Sequence, residues 1–142
     1  MMISTKGRYA LRVMIDLAQQ CQTGFIPLKE IAKRQNISQK YLESIMGILS
    51  KNHFIEAVHG KGGGYRLNRE PQDYRVGDIL RLTDGSLAPV SCLECSGESC
   101  EHAAECRTLP MWRKLDKMVN EYLDSVTIAD LLQGEAPDQY II

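Results

Sequence analysis

Two amphipathic runs set only three residues apart constrain the first third of the chain most tightly. Leu28-Lys29-Glu30-Ile31-Ala32-Lys33-Arg34 reads as a short helix with Pro27 near its start. After the link Gln35-Asn36-Ile37, a second helix begins with Ser38 as its N-cap and carries Leu42, Ile45, Met46 and Leu49 on one side. Gly47 is the weak point of that second helix. Two short helices joined by so tight a turn have the spacing of a helix-turn-helix, whose second helix enters the DNA major groove. A longer helix precedes the pair: between Ser4 and Cys21, the residues Ala10, Met14, Leu17, Ala18 and Cys21 recur on one face, which predicts a core position for Cys21. The turn Thr23-Gly24-Phe25-Ile26-Pro27 ends it.

The next segment supports this reading. Phe54-Ile55-Glu56-Ala57-Val58 and Tyr65-Arg66-Leu67 read as short strands joined by His59-Gly60-Lys61-Gly62-Gly63-Gly64. A plain hairpin turn needs one or two glycines, whereas this tip has four in five residues alongside Lys61. Such a tip permits positive φ and close backbone approach to an anionic surface, although a merely flexible loop has the same composition. The expected fold class is mainly α with a small β hairpin: a winged helix-turn-helix domain plus a long dimerisation helix.

Opposite the buried stripe of the second helix, Ser38, Gln39, Lys40, Glu43 and Ser44 are the candidates to meet DNA. Glu43 can accept from cytosine N4, while Lys40 and Lys51 suit phosphates, and Tyr41 fits either the core or a phosphate contact. His59, Gly60, Lys61, Gly62 and Gly63 are the wing candidates. The net charge of -1 conceals a division at Arg75. Residues 1–75 hold 12 Lys+Arg against 6 Asp+Glu, and residues 76–142 hold 5 against 12. A basic part facing a polyanion explains this, as does an unevenly solvated surface.

Beyond Pro71, Val76-Gly77-Asp78-Ile79-Leu80-Arg81-Leu82 predicts a short helix and Leu109 to Leu123 a longer one, with Pro110 tolerated in its first turn. The stripe Met111, Leu115, Met118, Val119 and Tyr122 of the longer helix has little left in a chain of 142 residues to cover it except a second copy, so it reads as a dimer helix. Thr127-Ile128-Ala129-Asp130 predicts a capped start for a last short helix. The expected division is 1–75 for DNA binding, 76–90 as connection, 91–108 as cysteine-rich loop, 109–132 for dimerisation and 133–142 as tail. No stretch reaches the length of a membrane span and the amino terminus lacks a signal-peptide pattern, so the expected location is cytoplasmic.

The strongest chemical feature is Cys92-x-x-Cys95-x4-Cys100-x5-Cys106. Zinc sites favour two tight pairs of ligands, and here only one pair is tight, so zinc is the second choice behind an iron-sulfur cluster held by one irregular loop. A dithiol oxidoreductase built on Cys92-Leu93-Glu94-Cys95 is a third reading. It fits poorly, because Glu94, Glu98, Glu101 and Glu105 should disfavour free thiolates. A metal reverses that effect by deprotonating its own ligands. The loop from 91 to 106 is therefore expected to become ordered only with metal. His102 is a minor candidate ligand, and no catalytic triad, phosphate loop or paired-carboxylate pocket stands out.

Ser4-Thr5-Lys6-Gly7-Arg8-Tyr9-Ala10, Ile37-Ser38-Gln39-Lys40-Tyr41-Leu42-Glu43 and Gly60-Lys61-Gly62-Gly63-Gly64-Tyr65 together resemble the IscR-type family of bacterial winged-helix transcription regulators, whose branches include NsrR and CymR. The similarity spans roughly residues 1 to 132 and lies nearest the IscR branch. It implies a homodimer on a pseudo-palindromic operator in double-stranded DNA, and adds Lys6 and Tyr9 to the DNA-contacting candidates. It also implies a cluster loop before the dimer helix, with a 2Fe-2S cluster in the IscR branch and genes of cluster biogenesis or related stress as targets. The loop pattern places Cys92, Cys100 and Cys106 as ligands. Leu109 stands where the family has histidine and Cys95 is additional, so Cys95 becomes the fourth ligand and 4Fe-4S stays open beside 2Fe-2S. The CymR branch offers the alternative of a cluster-free, thiol- or partner-controlled regulator of cysteine metabolism. Neither reading makes the chain an enzyme.

Overall fold

A computed structural model of the chain describes residues 3–20, 24–93 and 104–134. Helix α1 spans Thr5–Gln19, and Ser4 caps it by accepting a hydrogen bond from the Gly7 amide at 2.9 Å. The predicted stripe is buried, joined by Val13, while Cys21 lies outside the described residues. Helix α2 (Leu28–Gln35) ends where Asn36 turns left-handed at φ 54°. Helix α3 (Gln39–Lys51) starts at Ser38, whose hydroxyl accepts from the Tyr41 amide at 3.2 Å. Leu42, Ile45, Met46 and Leu49 are all 0% exposed. Each such burial stabilises the fold by about 1.5–3 kcal/mol, which is why the second helix of the pair is held so firmly.

Strands β1 (Ile55–Val58) and β2 (Gly64–Leu67) pair antiparallel, with Ile55 opposite Leu67 and Val58 opposite Gly64. The segment before α2 joins them: Ile26 and Tyr65 exchange amide-to-carbonyl hydrogen bonds of 2.8 and 2.9 Å. This approach needs a glycine beside it, because a Cβ on Gly64 would sit 2.3 Å from the Ile26 carbonyl oxygen. A Cβ on Gly63 would lie 2.1 Å from the Val58 oxygen. The absence of a side chain at Gly63 and Gly64 thus has a use within the chain's own backbone as well.

The hairpin is clamped at its open end by Tyr74, which is 1% exposed. Its hydroxyl donates to the Phe54 carbonyl at 2.7 Å and accepts the amides of Asn68 and Arg69 at 3.1 and 3.2 Å. Helices α4 (Val76–Asp84), α5 (Leu109–Ser125) and α6 (Ile128–Leu132) complete the chain, and Thr127 with Asp130 forms the expected capping box on α6. The main core does not stop at residue 75: Tyr74, Ile79 and Ile128 share it with Ala10, Met14, Leu42 and Ile45.

Helix α5 differs from its prediction in what covers it. Val119, Tyr122 and Leu123 pack against a second cluster formed by Val76, Leu80, Leu87 and Val126 of the same chain. Met111, Leu115 and Met118 are left 54%, 38% and 42% exposed. The expected single stripe is therefore split along its length between an intrachain and an open portion. Helices α4 and α5 approach closely at Gly77, where a Cβ would meet an Asp124 carboxylate oxygen at 2.0 Å. Arg81 ties them, reaching Asp124 at 2.8 and 3.1 Å and Asn120 at 2.7 Å. Among the described residues, no helix is long and apolar enough to cross a membrane.

Candidate nucleic-acid interface and cysteine loop

Gln39, Lys40, Glu43, Ser44 and Lys51 all project from the exposed side of α3, opposite its buried stripe. Ser38 is exposed as well, although its oxygen already serves the helix cap. Tyr41 is half-buried and does two jobs of packing: it joins the core margin and meets the ring of Tyr9 edge-on, centroids 5.9 Å apart at 89°. That contact brings Tyr9, and with it the first turns of α1 where Lys6 lies half-buried, against the start of α3. At the wing, His59, Gly60, Lys61 and Gly62 are exposed and Gly63 half-buried. The phenol of Tyr65 in β2 is pushed up, first by burial and then by the nearby charge of Glu43. Tyr65, at the start of the strand that follows the wing tip, is thus within electrostatic reach of Glu43 on α3.

Sequence reading missed what fixes α2. Asp16 is 1% exposed and accepts from Arg34 Nε at 3.0 Å, Arg34 Nη2 at 2.8 Å and Gln35 Nε2 at 2.9 Å. The Arg34 guanidinium is held in its charged form chiefly by the hydrogen bond to Asp16. Two cations or dipoles against one buried carboxylate satisfy it, so α2 cannot rotate on α1 without stranding a buried charge. The available signal was an aspartate set between Met14 and Leu17 on an otherwise apolar face.

Cys92 lies in a short 3₁₀ turn, Ser91–Leu93, and Cys106 lies three residues before α5; Cys95, Cys100 and His102 fall outside the described residues. The Cys106 sulfur is 3.4 Å from the Thr108 hydroxyl. Its thiol is held below the usual cysteine value by that hydroxyl first, then by the Thr108 and Leu109 amides at the start of α5. The causes lowering the Cys106 value are these donors; of the glutamates expected to disfavour thiolates, Glu94, Glu98 and Glu101 fall outside the described residues. So does most of the loop expected to order with metal.

The model of the Rrf2 family, iron-dependent transcriptional regulators, matches residues 3–134. The chain belongs to the Rrf2 family of transcriptional regulators. The regulator is 38% identical to IscR of Sodalis glossinidius over 136 residues, covering 95% of this chain and 81% of that protein. Among solved structures, it resembles CymR, the global cysteine regulator of B. subtilis, with a TM-score of 0.77, 38% identity, and 94% and 97% of the two chains covered. T. potens IscR gives a TM-score of 0.74 at 38% identity over 100% and 93% of the two chains. The expected winged-helix fold and family hold, and the regulator stands among transcription factors rather than enzymes. Identity to the CymR structure and to the T. potens IscR structure is the same, so the kind of signal must be argued from the cysteines.

Proposed function

We propose that the regulator binds a pseudo-palindromic operator in double-stranded DNA as a homodimer, and that an iron-sulfur cluster held by Cys92, Cys95, Cys100 and Cys106 sets its affinity. The observation that carries the DNA reading is the polar face of α3 (Gln39, Lys40, Glu43, Ser44) together with the wing carrying Lys61 and His59, both mounted on one braced core. Side chains at the start of such a helix reach base edges while lysines meet phosphates. Residues 1–75 would read DNA, 91–108 hold the cluster and 109–132 dimerise through Met111, Leu115 and Met118. Such a factor works in the cytoplasm, where bacterial DNA is.

The donor set fits a cluster. Cys92 and Cys106 flank one loop, and Cys106 already has three donors favouring the ionised sulfur that iron requires. The cluster would be 2Fe-2S first, with 4Fe-4S open to a four-cysteine set and zinc a weaker fit. When bound, it supplies a centre whose redox state or presence reports on iron and oxidants. The protein's own part is mechanical. Cys106 leads directly into α5, α5 is tied to α4 by Arg81, and α4 shares the core of α1 and α3. A change in the loop thereby reaches the angle between two recognition helices.

Anaerobic purification tests this: visible absorption with stoichiometric iron and sulfide is expected, and Cys92→Ser, Cys100→Ser or Cys106→Ser should each lose the iron. The half-buried, ionisable Cys106 thiol and the likeness to CymR favour a second reading, a cluster-free, thiol- or partner-controlled regulator of cysteine metabolism. A colourless, iron-free protein with full operator affinity would establish that second reading. Failure to enrich any sequence from a random duplex pool would defeat both.

A further inference from the structure

We propose that Arg12 is a preset phosphate anchor at the mouth of the helix-turn-helix, a DNA contact beyond those of α3 and the wing; this rests on the DNA-binding reading above. Arg12 is exposed on α1, yet its guanidinium is fixed. Nε donates to Gln35 Oε1 at 3.2 Å, and Nη2 donates to the Gln35 backbone carbonyl. The guanidinium carbon lies 5.0 Å from the centre of the Tyr9 ring. Gln35 is itself held, since its amide donates to the buried Asp16 at 2.9 Å.

Every acceptor fixing Arg12 is neutral, as at Arg69, which donates to the His53 carbonyl and lies over Phe54 and Tyr74; what sets Arg12 apart is its place beside the turn between α2 and α3. Arg34, Arg66, Arg75 and Arg81 each lie within 4.0 Å of a carboxylate, whereas Arg12 has no carboxylate partner among the described residues. Nearby Asp16 is already matched by Arg34. Arg12 thus carries a full positive charge, with Nη1 free of hydrogen bonds among the described residues, held in one place before any ligand arrives. A fork-shaped cation whose rotamer freedom is already lost binds phosphate with less entropic cost than a free side chain.

Its place is also the right one. Gln35 is the last residue of α2, Asn36-Ile37 is the turn, and Ser38 caps α3. The Tyr9 ring under Arg12 abuts Tyr41 in the first turn of α3. In a helix-turn-helix the DNA backbone passes the first helix of the pair and the amino-terminal end of the second. The competing role is structural: a guanidinium on the last carbonyl of α2 also caps that helix.

Salt dependence separates the two roles. The full-length dimer would be titrated onto its selected operator duplex by fluorescence anisotropy across a range of KCl concentrations, for wild type, Arg12→Gln and Arg12→Lys. One phosphate per half-site predicts that Arg12→Gln flattens the plot of log affinity against log salt by about two units and weakens binding roughly tenfold or more at moderate salt. Preference for operator over scrambled DNA should be unchanged, because a phosphate contact carries no sequence information. Arg12→Lys should restore the slope. An unchanged slope in Arg12→Gln overturns the proposal, whether affinity is kept or is lost together with operator preference. Should Arg12→Gln melt below the assay temperature, Arg12→Met, which still packs on Tyr9, replaces it with the same expected slope. Wild type showing no salt-dependent duplex binding would instead sink the DNA reading itself, so the two failures are distinct.

Discussion

Helix α3 has 13 residues and buries four apolar side chains completely, whereas α5 has 17 and buries Leu109 alone. The difference lies in the source of their support. Around α3 the chain provides everything: the apolar stripe, the Asp16 network that sets α2, the Tyr74 clamp on the hairpin. Around α5 it provides a polar tie through Arg81 and a small cluster at one end, and leaves Met111, Leu115 and Met118 in water. The winged-helix half is covered within one chain; among the described residues part of α5 is left open, and on the reading above a second copy covers it.

That contrast can be broken in four places. Ile45→Ala should cost about 2–5 kcal/mol of folding stability in urea titration, while Leu115→Ala, on a side chain still 38% exposed, should leave the folding of the monomer nearly unchanged. Comparable losses from both would erase the difference between the helices. Replacing Met111, Leu115 and Met118 together by serine should weaken self-association by about 100-fold, or about 2.7 kcal/mol, read by analytical ultracentrifugation. A dimer that survives unchanged would show that α5 is not the interface.

A smaller effect is expected at the tie between helices. A double-mutant cycle with Arg81→Met and Asp124→Ala should give a coupling near 1 kcal/mol, since both side chains are about a third exposed, at 32% and 30%, and solvent screens the pair. Zero coupling would mean that the Arg81–Asp124 pair adds nothing to the hold on α5, leaving Asn120 and the apolar end to provide it. Tyr74→Phe should cost about 1 kcal/mol through the lost hydrogen bond to Phe54. Burial pushes the Tyr74 phenol up, against the opposing pull of the Asn68 and Arg69 amides. The folded protein therefore prefers the neutral phenol more than the unfolded chain does. That contribution is whole below pH of about 10 and declines as pH rises past it. Melting curves of wild type should show this alkaline loss, and Tyr74→Phe should show less of it, Tyr65 keeping its own share.

Local chemistry made much of this fold legible. Ser38 announces the start of α3, the spacing of Leu42, Ile45, Met46 and Leu49 gives its buried face, and Thr127 with Asp130 gives the cap of α6. Each is decided by residues within one or two turns. What could not be read depends on distant partners: Asp16 with Arg34, Tyr74 with Phe54, Arg81 with Asp124. A helical period shows which residues share a face but not what lies opposite, so the stripe of α5 looked uniform although α4 covers one end of it. The DNA-facing candidates on α3 and the wing were visible because they are what remains after the core is assigned. Arg12 was not, since nothing in its neighbourhood marks a cation that Gln35 will hold. The thiolate-favouring surroundings of Cys106 escaped as well, because acidic neighbours in sequence suggested the opposite of what Thr108 and the α5 amides do.

The reciprocal hydrogen bonds between Ile26 and Tyr65 lock the entrance of the helix-turn-helix to the wing. The helix pair and the hairpin are thereby joined through backbone hydrogen bonds as well as through the shared core. On the proposed homodimer reading, a signal would then act chiefly on the mutual spacing and tilt of two such units. The same reading would have its operators tolerate little variation within a half-site, while the number of base pairs between half-sites would be the variable that distinguishes one state of the dimer from another.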